Sequence, residues 1–381
     1  MRPVIIIGTG LAGYTLAREL RKLDTDIPLY IITADDGRFY SKPMLSNALS
    51  KGTQPEQLAT ADNARMAADL HATLWTETRV TAIDPVAHTL RARDETLAYS
   101  TLVLALGADP VRPPLAGDGA ADVYAVNDLA DYTRFRHALT GKKRVAIIGA
   151  GLIGCEFAND LQAAGFQVDV IGSGKMPLDR LIPEQAGRAL EKALAGLGVS
   201  WHLGNTVQAV AKHDTGYRLT LADASVLEAD IVLSAVGLRA RTDLAQEAGL
   251  DVNRGIVVDR QLLTSQSDIY ALGDCAEVAG LVLPFVMPLM SCARALAKTL
   301  AGVPTEVSYP AMPVLVKTPV HPVVVSPPPH SAQGQWEVEE LGDGVRALFY
   351  SADHALLGMV LTGAATTEKN TWLKQLPAVL A

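Results

Sequence analysis

The chain has 381 residues, 49% hydrophobic and 19% charged, which is material for two or three buried cores rather than one. A formal charge of −8, from 33 basic against 41 acidic residues, argues against nucleic-acid or anionic-membrane binding, because both call for a basic surface. Cys155, Cys275 and Cys292 are too scattered for a disulfide framework or a metal site, and a reducing cytoplasm is the expected location.

The first element is an apolar strand from Pro3 to Ile7 that runs straight into Gly8. It reads as a buried strand, not a leader peptide, and no later run approaches the roughly 20 apolar residues that span a bilayer. No membrane insertion is expected. Gly8, Gly10 and Gly13 then make a G-x-G-x-x-G turn ahead of a helix over residues 14–23. The first glycine allows the tight turn, the second lets a pyrophosphate approach, and the third lets helix pack on strand. The loop Ile7, Thr9, Leu11 and Ala12 would therefore hold phosphates on unpaired amides. Asp35 lies 22 residues past Gly13, where a carboxylate can take a ribose hydroxyl. Leu102–Gly107 reads as another apolar strand ending in glycine, and Asp109–Pro114 as a proline-rich crossover.

The pattern then repeats. Val4–Gly13 recurs as Val145–Gly154, and Leu102–Gly107 is echoed by Ile231–Gly237. Gly149, Gly151 and Gly154, with Leu152 and Ile153 between them, predict a second dinucleotide loop followed by a helix over 155–164. Here Gly172 takes the strand-end position, so the usual acid is missing. Lys175 and Arg180 nearby leave both NADH and NADPH open. Thr264–Asp274 is an apolar strand ending in Gly273 and Asp274, more than 230 residues after the first loop. A carboxylate there suits the ribityl hydroxyls of FAD, which assigns the first site to a flavin. A helix predicted to start near Met287, with Pro288 close to its start, is a candidate source of positive potential for a reduced flavin. Residues 305–381 change character, with strands predicted at 314–317, 323–325 and 336–338 and a closing helix at 363–376. Lys317 is awkward in so apolar a run unless paired.

With Tyr40–Ser46, Gly149–Glu156, Val232–Arg241, Ile269–Asp274 and Lys317–Pro319 added, the chain resembles the FAD-dependent pyridine nucleotide reductases, and among them the rubredoxin reductases. The resemblance implies an α/β fold of two Rossmann-like dinucleotide-binding domains plus a small α+β C-terminal domain. It implies FAD-binding parts at 1–110 and 240–304 around an NAD(P)-binding domain at 111–239, with 305–381 last. It places Thr33, Ala34 and Asp35 at the adenosine, Val80 beside the adenine, and Lys42 and Pro43 by the flavin. Gly107 and Gly237 close their strands at the cofactors, and Lys317 is placed with the Val286 helix at the flavin pyrimidine edge. Glu156 is implied at the flavin–nicotinamide junction and, with Lys42, is a candidate catalytic residue.

One departure stands out. Relatives with a lysine at position 47 pair it with the counterpart of Glu156, whereas this chain has Asn47 there and Lys42 five residues earlier. Sequence leaves open whether Lys42 takes over that pairing. No cysteine precedes Cys155, which itself reads as a helix-packing residue, so electrons must leave from the flavin itself. The histidines form no metal-ligand grouping, and His330 and Trp372 are more simply surface or packing residues than docking ones. The expected activity is transfer of electrons from NADH through FAD to rubredoxin by a monomer. A ferredoxin or flavorubredoxin reductase and a non-catalytic NADH sensor are the alternatives.

Overall fold

The computed structural model describes residues 2–381. Its first sheet has five parallel strands in the order Ile269–Ala271, Thr101–Leu104, Val4–Ile7, Leu29–Ile32 and Thr73–Trp75. Val4–Ile7 is buried throughout, as expected of a parallel strand covered on both faces. Helix Leu11–Leu23 follows the first glycine turn and packs against helix Val286–Leu300, which begins one residue ahead of Met287.

The second repeat builds its own parallel sheet, in the order Ser200–Leu203, Gln167–Gly172, Arg144–Ile148 and Ile231–Ser234. Helix Leu152–Ala163 leaves its glycine turn as Leu11–Leu23 leaves the first. The chain passes between the two sheets at 108–110 and again at 238–240. These segments pair as a short antiparallel ladder, Ala108 opposite Ala240. The proline-rich crossover therefore starts as a strand. Arg241 clamps the ladder by donating to the Asp109 carboxylate at 2.8 Å and to the Leu106 carbonyl at 3.0 Å.

The last unit is a five-stranded antiparallel sheet, Val314–Val316, Val323–Ser326, Leu356–Thr362, Gly344–Ser351 and Gly334–Leu341. Two of its strands, Gly344–Ser351 and Leu356–Thr362, were not among the sequence expectations. The expected closing helix at 363–376 is instead a tight 3-10 turn, Gly363–Glu368, and a short helix, Lys369–Leu373. The Thr366 and Thr367 hydroxyls bond back to the carbonyls three residues earlier, at 2.7 and 2.9 Å, which favours the tighter turn. Trp372 packs there, donating to Glu368 at 2.8 Å with Arg346 5.5 Å from its ring, while His330 is exposed. Val316, Val323, Val345 and Val360 share one core with Phe157, Leu161, Leu190 and Leu194, so this sheet is seated on the second unit. No helix among the described residues is long and apolar enough to cross a membrane.

The two glycine turns are held by the same packing. Gly8 has φ +117°, and a Cβ on it would lie 2.2 Å from the Ala105 carbonyl oxygen; Gly149 has φ +115° and would meet the Ala235 carbonyl oxygen at 2.5 Å. Cβ atoms on Gly13 and Gly154 would strike the carbonyls of Gly8 and Gly149 at 2.0 and 1.9 Å, so helix and strand touch backbone to backbone. A Cβ on Gly10 or Gly151 would meet no protein atom within 4 Å. Gly154→Ala is therefore expected to lower the stability of the apoprotein by about 3 kcal/mol, the upper end for overpacking, as the obstructing atom is backbone. Gly151→Ala is expected to stay within about 1 kcal/mol of the parent. Urea denaturation of the two variants side by side makes the comparison.

Candidate functional site

Both glycine turns open into one cleft of about 1630 Å³. Ile7, Gly8, Thr9, Gly10, Leu11 and Ala12 line it with Thr33, Ala34, Asp35, Lys42, Pro43, Val80 and Gly107. Gly149, Gly151, Leu152, Ile153, Glu156, Gly237, Asp274, Val286 and Lys317 complete the wall among the sequence candidates. Gly13, Gly154 and Gly273 lie beneath that wall. A Cβ on Gly273 would be 2.8 Å from the Ala12 Cβ, so its bareness seats the 273–275 turn on the first helix.

Three helices start at this cleft, at Leu11, Leu152 and Val286. None has a capping side chain or an acid in its first turn. Their first amides thus remain unpaired, and their positive dipole ends converge on one space. Room at Gly10 and Gly151, free amides and a positive field together fit two pyrophosphates. Beside the first loop, Asp35 Oδ1 accepts from the Thr9 hydroxyl at 2.8 Å, the Thr33 hydroxyl at 2.7 Å and the Gly37 amide at 3.0 Å. Oδ2 takes none of these bonds, which suits an acid holding sugar hydroxyls.

Lys42 and Asp274 face the same cleft. The Lys42 ammonium donates to Asn127 Oδ1 at 2.6 Å, and Asn127 in turn donates to the Ala108 carbonyl at 2.8 Å, next to the ladder. Burial lowers the Lys42 pKa, with the Asp274 charge opposing the fall; burial likewise raises that of Asp274, with Lys42 opposing the rise. Each group offsets part of the other's desolvation.

Glu156 has a different partner. Lys42 does not reach it; its Oε2 is 2.5 Å from the Lys317 ammonium, and its Oε1 accepts the Lys317 amide at 2.9 Å. Ser46 completes the cluster, donating to Glu156 Oε2 at 2.5 Å and accepting from Lys317 at 3.1 Å. The lysine that balances Glu156 thus arrives from the C-terminal sheet. Asn47, at the position that the resemblance gives to a pairing lysine, is buried and leaves its Oδ1 without a partner. Lys317 is in this pair as well as on the cleft wall, where the resemblance had placed it at a flavin edge.

The sequence reading missed Asn127 and two neighbours of Glu156. Asn159 Oδ1 accepts the Val320 amide at 3.2 Å, and Asp160 accepts the amides of Leu49 and Ser50 at 3.0 and 2.9 Å. Glu156, Asn159 and Asp160 have i, i+3, i+4 spacing and form one stripe on a buried helix. A polar stripe where apolar residues belong was the available signal.

Two phosphate cradles facing one cleft, with a buried carboxylate–ammonium pair between them, define a two-dinucleotide oxidoreductase. No cysteine lines the wall among the described residues: Cys155, Cys275 and Cys292 are all buried and free, and burial pushes the Cys275 and Cys292 thiols up to about 11. The comparisons agree with that class. Residues 2–297 match the family described as pyridine nucleotide-disulphide oxidoreductase, and residues 306–376 match the rubredoxin binding C-terminal domain. The chain is 53% identical over its whole length to the whole rubredoxin-NAD(+) reductase of Alcanivorax borkumensis. It is 49% identical to that of Acinetobacter baylyi, over 99% of this chain and 98% of the relative. A ferredoxin reductase structure from Rhodopseudomonas palustris superposes with a TM-score of 0.88 at 26% identity, covering 97% of this chain and 93% of that one. The chain belongs to the pyridine nucleotide-disulphide oxidoreductases, a family of flavoproteins that use FAD with NAD(H).

Two outcomes follow from the charges. Lys317→Met would leave the Glu156 carboxylate, only 4% exposed, without its cation. A loss of about 3 kcal/mol is expected, most of it restored in the Glu156→Gln/Lys317→Met double variant, by urea denaturation. For Lys42, the unfolded chain binds its proton more tightly than the folded protein does. Stability is therefore expected to rise with pH from the depressed folded pKa up to the ordinary lysine value of about 10.4. Urea midpoints across alkaline pH should show that rise flattened in Lys42→Gln.

Proposed function

We propose that this protein is an NADH-dependent, FAD-containing reductase that delivers electrons to rubredoxin in the cytoplasm, working as a monomer. FAD-binding parts at 1–110 and 240–304 enclose an NADH-binding part at 111–239, and 305–381 forms the unit that meets the carrier. The observation that carries the reading is the origin of Lys317. It stands at the end of a strand of the unit matched to rubredoxin binding, and its ammonium lies in the cleft on Glu156.

Bound FAD would supply the chemistry of hydride acceptance from NADH and one-electron release. The chain's own residues supply the rest. The Gly8–Gly13 loop holds the FAD pyrophosphate, Asp35 and Thr33 the adenosine ribose, Ala34 and Val80 the adenine side, and Asp274 the ribityl chain. Lys42 and Pro43 stand by the flavin, while Gly107 and Gly237 let backbone approach the cofactors. The Gly149–Gly154 loop, with Leu152 and Ile153, takes NADH. Glu156 and Lys317 keep the junction charge-balanced, and the helix starting at Val286 offers positive potential to a flavin that gains charge. Buried free thiols fit a reducing compartment and leave no sulfur relay at the cleft.

Stopped-flow spectroscopy tests the reading. Flavin absorbance should bleach on mixing with NADH and recover on adding rubredoxin, at a rate that supports turnover. A ferredoxin that reoxidises the enzyme orders of magnitude faster than rubredoxin would replace the carrier. Failure to turn over with any acceptor, ferricyanide included, would favour a sensor.

A further inference from the structure

The second dinucleotide loop lacks the acid that this fold normally places at the end of its second strand to hold the adenosine ribose. Packing forbids one. Strand Gln167–Gly172 ends where a Cβ would lie 2.7 Å from the Ala150 Cβ and 3.2 Å from Leu203 Cδ2. Ala150 belongs to the glycine loop itself, so the space a strand-end side chain needs is taken by the phosphate cradle.

The chain brings a carboxylate back to the same place by another route. The backbone amide of Leu178 donates to the Ala150 carbonyl at 3.0 Å, which ties the loop after the strand to the cradle. Leu178 has φ +58°, an unusual conformation for leucine, and its side chain is buried at 2% exposure. That left-handed residue turns the chain so that Asp179 lies back over Gly174. A Cβ on Gly174 would sit 2.2 Å from Asp179 Oδ2 and 2.8 Å from Oδ1, so the bare Gly174 leaves the carboxylate room to lie in this position. The platform beneath is fixed: Gly204 donates to the Gly174 carbonyl at 2.7 Å and Asn205 to that of Gly172 at 3.0 Å. Asp179 lines the cleft with Gly172, Gly174 and Asn205, at the end of the strand next to the Gly149 loop. Among the described residues its carboxylate has no ion pair within 4.0 Å, and the exposed Arg180 beside it lines the same cleft without pairing to it.

We propose that Asp179 is the residue that selects the nicotinamide cofactor. Its carboxylate accepts the adenosine ribose hydroxyls in place of the missing strand-end acid, and its charge repels a 2′-phosphate, so NADH is taken in preference to NADPH. This rests on the reading of residues 149–154 as the NADH loop.

Calorimetric titration of the FAD-loaded protein with ADP-ribose and with ADP-ribose 2′-phosphate tests the assignment without any redox step. The wild type should bind ADP-ribose at least tenfold more tightly than its 2′-phosphate. Asp179→Asn should weaken ADP-ribose about tenfold, the scale of one charge-assisted hydrogen bond, and tighten the 2′-phosphate, so that the ratio collapses. Asp179→Ala should do the same. Asp179 is exposed, so flavin absorbance and melting temperature should match the wild type in both variants. A wild-type preference for ADP-ribose that persists within twofold in both variants would overturn the role of Asp179 alone. A wild type that prefers the 2′-phosphate would overturn the NADH reading together with it.

Discussion

The whole arrangement depends on a buried carboxylate that cannot stand alone. Glu156 sits on a helix of the second unit, Ser46 comes from the first and Lys317 from the third. A carboxylate at 4% exposure is tolerable only while its cation and hydrogen bonds are present. Folding of the three units is thereby made mutually conditional at one point. The same helical face extends the bond, since Asn159 takes the Val320 amide next to Lys317 and Asp160 takes Leu49 and Ser50 next to Ser46. One stripe of three polar residues thus fixes how the other two units are docked, at the wall of the cleft that Glu156 lines.

A chain of net charge −8 still presents a cleft suited to anions. The reconciliation is local. Three uncapped helix ends supply partial positive charge from backbone, which needs no basic side chain, and Lys42 adds a basic group held by the neutral Asn127. Asp274 moderates Lys42 without neutralising the helix ends. Acidic residues elsewhere on the surface have little influence at this range through water.

The glycine turns were legible because packing forces them: helix and strand touch where a Cβ would lie 1.9–2.0 Å from a carbonyl oxygen, and only glycine satisfies that. Repetition of the pattern made it unambiguous. The partner of Glu156 was not legible, because it lies 161 residues away and is chosen by how the C-terminal sheet docks, which no local periodicity encodes. Asn47 marked the departure but could not name the replacement. The C-terminal unit was read only in part, since short apolar runs there carry strand and core signals alike, and the threonines at 366 and 367 tighten what helical spacing alone would make a regular helix. Asp179 escaped for a related reason: its carboxylate comes from a loop turned by a left-handed leucine, not from the position that the motif reserves for an acid.

The ladder between Ala108–Pro110 and Leu238–Ala240 carries an evolutionary consequence. Entry to and exit from the second unit run side by side, so excising that unit would leave two ends already in register and almost no gap to bridge. A lineage could exchange the whole insert for another while keeping the first unit intact. What such a graft must preserve is Glu156, because the socket that receives it, Ser46 and Lys317, is built entirely by the host.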